Sequence, residues 1–124
     1  MSRARTFQKS LTNAARGIVH ALKTERNMQR LTAAGGLVLI AAIGSGVPPL
    51  ELLVLCSAMA SLLVAELLNT AIEIFADHVS GETYHDKVKS MKDIAAGAVL
   101  VTAANATIVS ITILFPHVLA LLNR

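Results

Sequence analysis

The chain has 124 residues, enough for one small domain. Apolar residues make up 54% of it and charged residues 15%, against roughly 45–50% and 25% in soluble domains, and the mean hydropathy is +0.61, which excludes a disordered chain and argues against a soluble helical bundle. The formal charge is +3, but aromatics are only 3% with no Trp, which excludes an aromatic stacking surface for nucleic acid, and the lone cysteine, Cys56, excludes an internal disulfide and a Cys-rich zinc site.

In chain order, the first element is a basic amphipathic segment, residues 1–30. It holds seven of the eleven Lys and Arg residues: Arg3, Arg5, Lys9, Arg16, Lys23, Arg26 and Arg30. Phe7, Leu11, Ala14 or Ala15, Ile18 and Leu22 recur at three- and four-residue steps. That spacing predicts a surface helix with one apolar side, suited to the headgroup layer of a membrane. The segment lacks a short apolar core followed by a small-residue cleavage site, so it does not read as a signal peptide.

Three apolar runs follow, at residues 31–47, 50–76 and 94–115. Each has the length expected of a membrane span. Gly44-Ser45-Gly46 and Pro48-Pro49 predict a tight break between the first two. Residues 78–93 form a charged stretch read as a loop, and Pro116 predicts the end of the third span. The whole, residues 1–124, reads as a single domain. Ten of the eleven basic residues lie in the N-terminal segment or the second loop, and none in the first loop. Basic residues stay on the cytoplasmic side, so the N-terminus is expected inside and the C-terminus outside. Phe75, Tyr84 and Phe115 fall near the expected boundaries.

The second run carries the informative residues. Glu66, Asn69, Glu73 and Asp77 project within a sector of roughly 80° on one helix face. A charge at the centre of a bilayer costs on the order of 2.5–3.5 kcal/mol, so this stripe must face protein, water or a metal. Glu51, at the edge of the first loop, reads instead as a solvated boundary charge. Lys89 and Lys92 are the nearby cations, and Glu25 is a further acid before the first span. Carboxylates with a lysine and no cysteine make a hard-cation site suited to magnesium. Magnesium usually completes its shell with water and phosphates, which points to phosphoryl transfer. No Walker A motif or kinase Gly-rich loop is present. A proton or cation relay in a small transporter uses intramembrane acids equally well, and the residues alone leave the two readings level. A purely structural membrane subunit does not account for three acids on one face.

At Glu66-Leu67-Leu68-Asn69-Thr70-Ala71-Ile72-Glu73, at Asp77, and at Lys92-Asp93-Ile94-Ala95-Ala96-Gly97-Ala98-Val99, the chain resembles the prokaryotic diacylglycerol kinase family. These are small integral-membrane lipid kinases unrelated to soluble kinases. The resemblance covers nearly the whole chain, including Thr24-Glu25-Arg26-Asn27-Met28 and the three-span layout. That stretch, with Ser10-Leu11 and Gly17-Ile18, looks closer to the undecaprenol kinase branch than to the diacylglycerol branch, which stays the alternative.

The resemblance implies an all-α homotrimer of the bacterial inner membrane, with active sites shared between subunits at the cytoplasmic interface. It implies ATP with Mg2+ as the donor, a lipid alcohol in the bilayer as the acceptor, and no nucleic acid. Glu66 matches the general base, and a carboxylate in hydrocarbon suits proton acceptance better than an exposed acid. Glu25 and Glu73 match the metal-binding carboxylates. Lys92 and Asp93 match nucleotide-contacting positions, with Lys92 toward the transferred phosphate. Asn69, Asp77, Tyr84 and His85 match positions around the nucleotide, although Thr83 stands where the diacylglycerol branch carries Glu. The small residues Ala95 to Ala98 let helices approach closely and equally leave room for a lipid headgroup beside Glu66, with Ala96 as the substrate contact. Thr102, Asn105, Thr107, Ser110 and Thr112 read as helix-to-helix contacts. His20, His78 and His117 read as structural.

Overall fold

The computed structural model describes residues 2–80 and 86–124. Among them every regular element is helical: α1 (Arg3–Thr24), α2 (Arg26–Gly44), α3 (Pro49–Ser80) and α4 (Asp86–Leu122). The fold is all-α, as the periodicity predicts.

α1 begins at Ser2, whose hydroxyl accepts from the Arg5 amide at 3.4 Å. The expected helix over residues 1–30 is in fact two helices. Glu25 is extended (φ −102°, ψ 113°) and separates α1 from α2. The chain can break there because the freed carbonyls find a partner. Gln29 Nε2 donates to the Leu22 and Lys23 carbonyls at 2.9 and 3.3 Å. The break carries no Gly or Pro, which is why no sequence rule marks it.

α2 ends at Gly44, and Gly46, at φ 78°, makes the turn that only glycine adopts without strain. α3 then starts on Pro49, where a missing N–H costs nothing. At 32 and 37 residues, α3 and α4 are about 48 and 55 Å long, well beyond the ~30 Å of a hydrocarbon layer. Two expected boundaries therefore move. All of the charged stretch 78–93 that lies in the described residues is helical, since α3 runs on to Ser80 and α4 starts at Asp86. Pro116 does not stop α4, which continues to Leu122. A proline removes one N–H and crowds one carbonyl, and the last two turns tolerate that.

Among the described residues two helices, α3 and α4, are long and apolar enough to cross a membrane. α2 carries Arg26 and Arg30 in its opening turns, and its uncharged stretch ends at Gly44 rather than at residue 47. α3 and α4 run antiparallel: Asp77 near the end of α3 meets Lys92 near the start of α4, and Glu51 meets His117 at the other ends.

Packing centres on α3 and α4 with α2 against them. One core cluster joins Ala42, Val47 and Leu55; another joins Ala58, Leu62 and Ala106. Alanines at the contacts let backbones approach closely. Gly35 of α2 is one such point, since a Cβ there would sit 3.5 Å from Met59 Sδ. Large apolar side chains such as Leu37, Ile40, Leu53, Leu100, Val101 and Ile108 face outward, while Glu66, Asn69, Thr70 and Ser110 are buried. That inversion of the soluble pattern is what a lipid solvent demands. α1 keeps Phe7 and Leu11 at 65% and 56% exposure and buries only Ala21, the form of a helix lying on a membrane surface.

Candidate active site

Four turns of α3 set the site. Glu66, Asn69, Thr70, Glu73 and Asp77 follow one another at helical spacing, so they rise along one face toward the α3–α4 junction. Glu66 is 3% exposed. The polar groups that act on it are the Asn27 side chain and the carboxylates of Glu73 and Glu25. Glu66 Oε2 has no hydrogen-bond partner among the described residues. One turn on, Asn69 Nδ2 donates to Glu73 Oε1 at 3.4 Å, while Asn69 Oδ1 and Thr70 Oγ1 are buried without partners.

The break between α1 and α2 explains how Glu25 arrives. It lifts one residue out of helical geometry beside the face of α3 that carries Glu66, and it leaves Glu25 half-buried. Glu25, Glu66 and Glu73, 41 and 7 residues apart in the chain, thus share one electrostatic neighbourhood at the junction of three helices. Carboxylates that approach one another repel unless a cation comes between them. No group of three or more His, Cys, Asp or Glu side chains converges tightly enough to enclose a metal among the described residues. An all-oxygen pair fits a different need. Magnesium takes one or two carboxylates and fills its remaining positions with water and phosphate oxygens.

The basic residues split. Lys92 Nζ donates to Asp77 Oδ1 at 2.5 Å, crossing from α4 to α3. Asp93, its neighbour, pairs with Lys89 along α4 at 2.6 Å. Two residues expected to act side by side therefore face different neighbours, because 100° separates consecutive positions on a helix. Asp77 and Lys92 sit about 16 Å along the axis from Glu66, at the end of the stripe rather than beside the buried acid. Ala96 is exposed on α4, and its neighbour Ala95 is one of the residues that α4 buries, with Ala106 and Ser110 further along. Tyr84 and His85 lie outside the described residues.

Two participants escaped the sequence reading. Asn27 stands beside Glu66 although it is 39 positions away. A polar residue just before an apolar run was the available signal. Thr70 gave no signal, since threonine is ordinary in an apolar helix.

The fold thus gathers Glu25 and Glu73 around the buried Glu66, with Lys92 meeting Asp77 further along α3. The sequence model of the prokaryotic diacylglycerol kinase family matches residues 12–114. The chain is 38% identical over 106 residues to a diacylglycerol kinase of Synechocystis sp., which covers 86% of this chain and 61% of that protein. It is 37% identical over 110 residues to undecaprenol kinase of Bacillus subtilis, covering 89% of each. The chain thus spans about three fifths of the cyanobacterial relative and nearly nine tenths of the other.

Proposed function

The chain belongs to the prokaryotic diacylglycerol kinase family, and from that premise we propose that it is an integral-membrane lipid kinase moving the γ-phosphate of ATP to the hydroxyl of undecaprenol. The observation that carries this reading is the buried Glu66 carboxylate, whose Oε2 has no hydrogen-bond partner among the described residues, with Glu25 and Glu73 beside it. A general base must meet its proton donor in a place water does not fill. The undecaprenol choice is favoured by the relative that this chain matches over nearly its full length. Diacylglycerol, giving phosphatidic acid, is the second acceptor, favoured by the name of the other relative.

In the step itself, Glu66 Oε2 takes the proton of the lipid hydroxyl as its oxygen bonds to the γ-phosphorus. The bond from that phosphorus to the bridging oxygen breaks, and ADP leaves with the electron pair. Glu25 and Glu73 are the residues to hold Mg2+, which when bound neutralises charge on the phosphates. Asn69 fixes Glu73 through its amide. Lys92, steadied by Asp77, brings positive charge to the phosphate end of the stripe. Asp93, Tyr84 and His85 are assigned to the nucleotide side, and Ala96 to the lipid side. α2 serves as the third span, α1 lies in the cytoplasmic headgroup layer, and the C-terminus is outside. A homotrimer in the bacterial inner membrane shares these sites between subunits. The outward apolar faces of α3 and α4 leave room for both lipid and neighbouring copies.

The test offers undecaprenol and diacylglycerol separately to the purified protein in mixed micelles, with radiolabelled ATP, with and without magnesium. Magnesium-dependent label in extracted lipid supports the kinase, and the ratio of the two products chooses the acceptor. No label in either lipid, together with proton-coupled cation flux in liposomes without ATP, makes it a transporter.

A further inference from the structure

The uncharged run of α4 covers residues 94–115, and Asn105 stands at its middle. The helix turns that residue outward, so its carboxamide is exposed at the depth of the hydrocarbon. The hydroxyls around it are satisfied within their own helices. Thr102, Thr107 and Ser110 of α4 donate to the Ala98, Ala103 and Ala106 carbonyls at 3.0, 2.8 and 2.6 Å. Ser57 and Ser61 of α3 donate to the Leu53 and Ser57 carbonyls at 2.9 Å each. A hydroxyl has one proton to place, and the carbonyl four residues back takes it. A carboxamide brings two N–H donors and a carbonyl acceptor, and Asn105 makes no hydrogen bond among the described residues. In hydrocarbon such a group without a partner is expensive.

Asn105 lines a groove of about 430 Å³ between α3 and α4, with Leu53, Ser57, Ala58, Ser61 and Val109. Ser57, Ala58 and Ser61 are small, which lets another backbone come close. Ser57 and Ser61 lie about 140–180° around α3 from Glu66, so the groove is on the other side of that helix from the site described above. Whatever covers Asn105 must offer both a donor and an acceptor in mid-bilayer. Lipid tails offer neither, and the headgroups lie about 15 Å away. A second copy of this chain offers both at the matching depth, because its own carboxamide sits at the same level. The group is its own complement: around any closed ring of copies, each amide donates to the next and accepts from the one before.

Resting on the membrane-spanning reading of α3 and α4, we propose that this groove is an interface between copies of the chain and that their Asn105 carboxamides pair across it in mid-bilayer. The pairing fixes the depth and register at which copies meet, as a buried asparagine does between coiled helices. It gives the homotrimer proposed above a polar contact at residue 105, and it takes no part in phosphate transfer.

The test sediments the full chain to equilibrium in density-matched micelles over a range of protein-to-detergent ratios. Asn105→Leu removes the amide and suits lipid, so it raises the ratio at which half the chains are assembled about tenfold. Thr107→Val, whose hydroxyl bonds within α4, leaves that ratio unchanged. Proximity is read separately, in a Cys56→Ala background treated with a thiol oxidant. There Asn105→Cys gives a disulfide-linked pair of chains, which requires the two backbones within about 7 Å. Leu100→Cys, exposed on α4 about 140° around from residue 105, gives none. Asn105→Leu assembling at the parent's ratio overturns the role of Asn105, and so does a shift as large in Thr107→Val. Absence of the cross-link in Asn105→Cys, or an equal yield in Leu100→Cys, overturns the groove as the interface. A parent that is monomeric at every ratio overturns the whole inference. These readouts are mass and cross-linking, so a parent that labels no lipid overturns the kinase reading alone.

Discussion

Near its Pro49 end, α3 carries Glu51, whose carboxylate accepts from His117 Nε2 of α4 at 2.8 Å. Fifteen residues along the same helix, Glu66 is more deeply buried and its Oε2 accepts from nothing. Asn69 Oδ1 and Thr70 Oγ1, one turn on, are in the same condition. The two regions differ in their neighbours, His117 of α4 at Glu51 and the polar groups of Asn27, Glu25 and Glu73 at Glu66. The Glu51 region resolves its charge internally and closes over Ala42, Val47 and Leu55. The Glu66 region leaves three buried polar atoms open where helix–helix contacts had ample chance to satisfy them. A buried polar group without a partner costs stability, and here three fall on adjacent turns beside the proposed base. Substitutions should therefore divide the helix. Those in the Glu66 region alter chemistry with little effect on folding, and those at the Glu51 end do the reverse.

The largest effect belongs to Glu66. Glu66→Gln keeps the volume and removes the proton acceptor, so phosphate transfer to lipid should fall about 10³-fold, while helical content and oligomer size stay those of the parent. Activity within tenfold of the parent would dismiss Glu66 as the base. Next comes Lys92→Met, which keeps the long stem and removes the charge. It should lower kcat/KM for ATP by about 10². Asp77→Asn should cost less, because Asp77 only steadies Lys92; a deficit equal to that of Lys92→Met would place Asp77 on the nucleotide itself. Glu73→Gln should shift the magnesium requirement on the order of tenfold upward, since affinity for a hard cation follows the charge of its ligands. A magnesium titration that overlays the parent would remove Glu73 from the metal site.

The same contrast shows what a sequence exposes and what it hides. Glu66 and Glu73 were legible because an acid inside an apolar run has no bland reading. The turn after Gly44 was legible because glycine and proline punctuate the chain. Glu25 was legible as an acid before the first span, but its place beside Glu66 was not. Its placement depends on a helix break with no Gly or Pro, held by a glutamine side chain four residues on. The extension of α3 and α4 into the charged stretch, to Ser80 and from Asp86, was missed because charge was taken for loop, although charged residues such as Lys and Glu are good helix formers. Pro116 was read as a stop, but the packing of α4 outweighs one lost hydrogen bond. Thr70 was invisible for another reason: its composition is ordinary, and only its missing hydrogen bond marks it.

The Glu51–His117 pair was also unreadable, since 66 residues separate the partners and neither breaks a local pattern. Glu51 was expected to be a solvated boundary charge and is instead half-buried against α4. Its energetic weight should still be small. Both side chains keep substantial exposure, 47% for Glu51 and 28% for His117, and partly solvated pairs of this kind contribute at most about 1 kcal/mol. Glu51→Gln retains a hydrogen-bond acceptor and should lower the thermal midpoint by a few degrees at most. His117→Ala, which removes the donor and its packing, should lower it further. Both variants should keep the parent's KM for ATP and for lipid, because Glu51 lies about 22 Å along α3 from Glu66. A large loss of activity in either, at unchanged stability, would mean that the two ends of α3 are coupled and that the division between a packed end and an open one is wrong.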